Sequence, residues 1–256
     1  MTWKYVALLL AAAAGSAHAQ ATRMMMPEGT YDAVFGVAAQ GIFVPGSDGH
    51  SRGDVEPALA VQWSNGVFVD AGTSEVVLGM HWSDNPVLDY GAMLSASGRD
   101  QRSDTPGERG GMALQTGAFI NWHALYNVEI GGELLAGGGF ERNGWLANAR
   151  VRWATPLAAH HSATLTAGAV VADRAWMQGY FGVTQAQSAS GGNRLYHAPG
   201  GVLNVYGDVE WQWQLANKYW LYTGARLSRR GDGPANSPLV GSRRYASVRT
   251  ALTYHF

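Results

Sequence analysis

The feature that most restricts this chain is an alternation of period two that runs longer than a soluble strand needs. From Leu203 to Leu215 the odd positions are Leu203, Val205, Gly207, Val209, Trp211, Trp213 and Leu215; the even positions are Asn204, Tyr206, Asp208, Glu210, Gln212 and Gln214. Successive side chains of a strand point to opposite faces, so one face is apolar with tryptophans at one end, and the other is polar and acidic. Strands of globular proteins average about 5–6 residues, whereas a tilted strand crossing a bilayer takes about 9–11. The run therefore fits a transmembrane strand with lipid on one side.

The pattern recurs. Tyr126, Val128, Ile130, Leu134 and Ala136 oppose Asn127, Glu129 and Glu133, while Trp145, Ala147, Ala149, Val151 and Trp153 oppose Asn148, Arg150 and Arg152. A tryptophan at each end of an apolar stripe is the placement an interfacial girdle requires. Twelve crossings are expected, near 31–43, 55–63, 66–72, 75–82, 88–98, 112–121, 126–139, 144–154, 161–172, 201–215, 217–228 and 244–256. The fold class is then all-β, a transmembrane antiparallel β-barrel of about 12 strands over residues 31–256. An even count leaves both barrel ends on one side. Links on that side (64–65, 83–87, 122–125, 155–160 and 216) are short, whereas 44–54, 99–111, 173–200 and 229–243 are long. Short periplasmic turns and long extracellular loops are the usual asymmetry of outer-membrane barrels. A thirteenth strand at 179–185 would break parity, so those residues are assigned to the 173–200 loop, either extending outward or folded into the lumen.

The first residues fit export. Lys4 precedes an apolar run from Val6 to Ala14, and Ala17-His18-Ala19 has the small-x-small pattern of a cleavage site. A signal peptide over 1–19 is expected, cut between Ala19 and Gln20, with 20–30 as a periplasmic N-terminal segment. After it, no run of about 18 apolar residues suggests a transmembrane helix. At the other end Ala246, Val248, Thr250, Leu252, Tyr254 and Phe256 alternate with Tyr245, Ser247, Arg249, Ala251, Thr253 and His255. A terminal strand with outward Leu252, Tyr254 and Phe256 looks like the signal read by the barrel assembly machinery.

If the apolar faces meet lipid, the polar set faces inward. Hairpin register then brings Glu133 near Arg150, Glu129 near Arg152, and Asp208 near Arg226; Glu210 and Arg249 complete the lumen set. Such pairs suit a filled or narrow polar interior and, as a sharper reading, a selectivity ring. Arg229, Arg230, Arg243 and Arg244 flank the last long loop and are candidates to hold lipopolysaccharide phosphates through bidentate bonds.

Composition removes other classes. With no cysteine, disulfide and thiol chemistry are excluded, and a net charge of −1 gives no basic field for nucleic acid. An enzyme is not expected. His161 and Ser162 are strand neighbours that point to opposite faces, and the remaining histidines (His81, His123, His160, His197, His255) are scattered without ligand spacing. Acids in the long loops (Asp48, Asp100, Asp104, Asp173, Asp232) are ordinary. No metal or cofactor is expected.

Several segments occur in a telling order: Gly98-Arg99-Asp100; Gln178-Gly179-Tyr180-Phe181-Gly182-Val183-Thr184 with Ala186, Ser190-Gly191 and Tyr196; then Ser237-Pro238-Leu239-Val240. Together they resemble the MipA/OmpV family, the MltA-interacting proteins of the outer membrane. Val44-Pro45-Gly46-Ser47-Asp48 is similar to an early stretch of that family, and Asp232 precedes the Ser-Pro-Leu-Val segment as it does there, but Asn236 stands where the family has Asp. The resemblance implies a non-enzymatic scaffold of the Gram-negative cell envelope, linking a lytic transglycosylase that cuts peptidoglycan to a penicillin-binding protein that makes it, or an envelope-integrity protein. It also leaves open a porin-like channel for small solutes or drugs, and a surface adhesin. These segments fall on the long-loop side, away from the periplasm where murein enzymes work.

Overall fold

The computed structural model describes residues 28–43, 52–72, 75–97, 113–138 and 143–256. The expected signal peptide, its cleavage site between Ala19 and Gln20, the 44–48 stretch and Gly98-Arg99-Asp100 lie outside the described residues, as do the loop acids Asp48, Asp100 and Asp104.

Alternation closes into a barrel of twelve antiparallel strands, each paired with its sequence neighbours, and β1 pairs with β12. In chain order these are β1 (Tyr31–Phe43), β2 (Arg52–Trp63), β3 (Val67–Gly72), β4 (Glu75–His81), β5 (Leu88–Ser97), β6 (Ala113–Leu125), β7 (Val128–Gly138), β8 (Gly144–Ala158), β9 (His161–Ala172), β10 (Gly201–Ala216), β11 (Tyr219–Arg230) and β12 (Arg244–His255). Among the described residues three helices interrupt the loops: α1 (Arg174–Phe181), α2 (Gln185–Gly191) and α3 (Asp232–Ala235). Closure is completed at the terminus, where the Phe256 amide donates to the Ala33 carbonyl at 3.0 Å. A closed ladder leaves no strand edge, the condition for sheet to cross hydrocarbon.

The outer face carries the apolar half of each alternation. Phe35, Val37, Leu78, Ile120, Leu134, Val151, Val209 and Leu252 are all exposed. An apolar surface of this extent is unstable in water and is matched to lipid. At the turn end the belt finishes in Tyr31, Trp63, Trp122, Trp153, Trp213 and Tyr219, an aromatic girdle. No helix among the described residues is long and apolar enough to cross a membrane; the strands do the crossing.

The structure adjusts several boundaries. β6 runs on to Leu125, and Tyr126, expected at the start of β7, lies with Asn127 in the connecting turn. An apolar Tyr before a polar Asn continued the period across a two-residue turn, hiding it. β8 extends to Ala158, so the link at 155–160 shrinks to a turn at 159–160; β10 extends to Ala216 and β11 begins at Tyr219, so the link expected at 216 is a two-residue turn at 217–218. β11 reaches Arg230, which shortens the last long loop to 231–243. Residues 179–185 form no thirteenth strand: they finish α1 and cap α2, and only Val183 makes a single bridge, to Tyr196.

Candidate functional site

The barrel interior is a polar network set by strand register. Arg150 is ion-paired to Glu133 and donates to Asn121 Oδ1 at 2.8 Å, and Arg152 lies 3.3 Å from Glu129. Further round the same wall Arg249 donates to both oxygens of Asp208, at 2.7 and 2.9 Å, and to Glu210 at 2.9 Å. Arg226 Nε donates to the same Asp208 at 3.2 Å, and its guanidinium lies 4.4 Å from the centre of the Tyr206 ring. The Tyr206 hydroxyl donates to Asn148 Oδ1 at 3.1 Å. Glu129, Arg150, Asp208, Glu210 and Arg226 are all buried. Removal from water is costly for charges, and only multiple partners offset it. Two glycines make room: a Cβ on Gly131 would meet Asn121 Oδ1 at 2.8 Å, and one on Gly168 would meet the Tyr206 ring.

The three pairs expected from hairpin register are thus brought together: Glu133 with Arg150, Glu129 with Arg152, and Asp208 with Arg226. Arg249 was grouped with them without a partner. Its partners are on β10, one strand beyond its ladder neighbour β11, which pairwise register does not show. The inward Asp70 and Glu75 were missed because β3 and β4 are short, with six and seven residues. Glu75 accepts a hydrogen bond from Ser95, and both acids line a cavity of about 80 Å³ that Glu210 and Arg249 close from the opposite wall. A second cavity, of about 200 Å³, is lined by Arg150, Arg152, Arg226 and Arg249 with the hydroxyls of Thr164 and Thr166.

The 173–200 loop covers this network from the long-loop end. Asp173 caps α1 by accepting from the Trp176 amide at 2.8 Å. Trp176, Met177 and Phe181 are then buried against Leu135, Leu146, Ala172 and Leu203, which come from the lumen faces of β7, β8, β9 and β10. Leu203 joins them through a bulge, where the β9–β10 register shifts between Val202 and Asn204. The helix is held from above: Ser237 Oγ donates to the Phe181 carbonyl at 2.7 Å, Tyr196 Oη to the Gly233 carbonyl at 2.6 Å, and the Ala198 amide to Gln178 Oε1 at 2.8 Å. α2 buries none of its residues. The loop is therefore divided: α1 is folded into the mouth and α2 stands outside. The segments 178–184, Tyr196 and 237–240, scattered in sequence, build this one plug and its latch.

The four arginines of the last loop separate. Arg230 turns inward, buried over the Tyr245 ring at 4.6 Å and bonded to the Ser242 carbonyl. Arg243 is held by Asp232 at 2.7 Å. Arg229 and Arg244 face outward, exposed and directly opposite each other. His161 stacks on the outer Trp211 and Trp213, whereas Ser162 faces the lumen and donates to Gln212 at 3.2 Å, so the two form no joint site. Among the described residues no three His, Asp or Glu side chains are grouped to hold a metal.

Comparison with known proteins gives one family. The family model described as "MltA-interacting protein MipA" matches residues 34–256. No curated protein matches the chain. Solved structures similar in shape include the KdgM porin, 11% identical over 86% of this chain and 99% of that one with a TM-score of 0.48. The NanC porin is 10% identical over 85% and 98%, with a TM-score of 0.49. The translocator domain of autotransporter NalP from Neisseria meningitidis is 12% identical over 90% of each chain, with a TM-score of 0.42.

Proposed function

Because the chain belongs to the MltA-interacting protein MipA family, we propose that this outer-membrane barrel is a non-enzymatic scaffold that holds a lytic transglycosylase at the inner face of the outer membrane, with a penicillin-binding protein as second partner. The observation that carries this reading is the extent of the match: residues 34–256 are the barrel and its plug. The contact surface is then the barrel itself. On the periplasmic side this is the turn-end rim, where Trp82, Leu125, Tyr126 and Leu157 are exposed. A lumen crossed by ion pairs and covered by α1 suits a stiff platform. Export follows from the signal peptide over 1–19, and assembly from the terminal Leu252, Tyr254 and Phe256. Purified barrel in detergent is expected to capture a lytic transglycosylase of the MltA type. Capture no greater than by an unrelated barrel of similar size contradicts the scaffold.

A second reading is a narrow conduit for small anionic solutes. It is favoured by the 200 Å³ cavity, whose lining has four arginines against Asp208 and Glu210. Planar-bilayer recording then shows anion-selective steps that Arg226→Gln reduces; a silent barrel excludes the reading.

A further inference from the structure

The lipid-facing wall near the long-loop mouth carries an arrangement that the scaffold does not use. Arg229 on β11 is the direct cross-strand partner of Arg244 on β12, and both are exposed on the outer face. Like charges set opposite each other across an antiparallel pair repel. Among the described residues neither guanidinium has a carboxylate partner; the nearby Asp232 is engaged by Arg243 at 2.7 Å. Below them on the same face come Leu227 and Ala246, then Ala225 and Val248, which are apolar or small.

Their height is informative. At the turn end of the same two strands Tyr219 faces Tyr254, ring centres 5.1 Å apart, in the aromatic girdle. From Tyr219 to Arg229 the strand climbs about 33 Å at ~3.3 Å per residue, or about 25 Å along the membrane normal for a tilt of ~40°. The apolar band of such barrels is about 25 Å tall. The two guanidiniums therefore stand at the edge of the hydrocarbon opposite the girdle, where lipid head groups begin.

We propose that Arg229 and Arg244 form a two-armed clamp for a phosphate of a phosphorylated glycolipid in the outer leaflet, the lipopolysaccharide of the long-loop side. A phosphate accepts paired N–H bonds from each guanidinium, and its charge turns the cross-strand repulsion into attraction to a shared anion. Arg230, which faces the lumen, and Arg243, which is ion-paired, take no part. The clamp lies on the outer wall at the end away from the periplasmic rim, so its success or failure leaves the scaffold reading untouched.

The test is native mass spectrometry of the purified barrel with three lipids: hexa-acylated lipid A, the same lipid after removal of its phosphates, and phosphatidylglycerol. The intact chain is expected to retain lipid A over its dephosphorylated form and over phosphatidylglycerol. The pair Arg229→Gln with Arg244→Gln is expected to lower lipid A retention about tenfold or more, tenfold being the scale of one charge-assisted bond. Arg243→Gln is expected to leave it unchanged. Heat-modifiable gel mobility confirms folding of each variant. Equal retention of dephosphorylated lipid A by the intact chain overturns the proposal without recourse to any variant. Unchanged retention by a folded double variant, or equal retention of phosphatidylglycerol, overturns it as well.

Discussion

The two halves of the barrel wall are built to different standards. Strands β7 to β12 have 11 to 16 residues, carry every arginine of the lumen network, and give α1 its seat on Leu135, Leu146, Ala172 and Leu203. On the other side β3 and β4 have only six and seven residues. They face the lumen with Asp70 and Glu75, and no arginine occurs on β3, β4 or β5. One half is cross-braced and seats the plug; in the other β3 and β4 are short and acidic, and among the described residues only Met93 of β5 packs against the plug's apolar cluster from that side. Stiffness resides in the first wall, which buried guanidinium–carboxylate contacts over-determine; the wall of β3 and β4 carries acids without arginine.

The strongest attempt to break this comparison is Asp208→Ala. It strands Arg226, which Asp208 holds at 3.2 Å, and leaves Arg249, held by Asp208 at 2.7 and 2.9 Å, with Glu210 alone. Leaving a buried cation without a counter-charge costs about 3–5 kcal/mol. The urea midpoint of the folded, heat-modifiable form is expected to drop sharply, while Asp70→Ala moves it little. Equal drops would mean the halves do not differ.

Met177→Ala comes next. Met177 is fully buried on the inner face of the plug helix α1, and deleting such a side chain costs about 2–5 kcal/mol. The loss is expected to be local, read as faster proteolysis within 173–200 with the barrel midpoint unmoved. Ser237→Ala removes the 2.7 Å bond to the Phe181 carbonyl and is expected to loosen the same loop by about 1–3 kcal/mol. Its proteolysis rate should fall between those of the parent and Met177→Ala. Smallest in stability is Asp70→Asn, with a change near zero. In planar bilayers it should nonetheless lower cation over anion permeability of whatever current the barrel passes, because it removes an acidic group from the lumen. No shift in selectivity would place the path elsewhere.

The wall was far more legible in the sequence than the plug. Period two over 203–215 or 144–154 survives because lipid and lumen demand opposite side chains at every step. Glu133 and Arg150 were legible as a pair because β7 and β8 are consecutive strands joined by a short link, so their side chains fall close on one face. Arg249 was not, because its partners lie on β10, beyond β11, and depend on how the barrel curves. α1 was unreadable as a helix: Trp176, Gln178 and Tyr180 against Met177, Gly179 and Phe181 show no clear period. A helical sign was present beside it, in Thr184 and Gln187, which form a reciprocal capping box at the start of α2. The segments that resemble the family did mark the right residues, but only the fold shows that 178–184, Tyr196 and 237–240 meet in one latch.

α1, seated on the braced half, plugs the long-loop mouth of the barrel. The most direct measurement is single-channel conductance of the refolded barrel in planar bilayers, intact and with residues 174–198 replaced by a short glycine–serine linker. Silence or small steps are expected from the intact chain and much larger, steady steps from the shortened one, both fully heat-modifiable on gels. Large steps from the intact chain that the replacement leaves unchanged would contradict it.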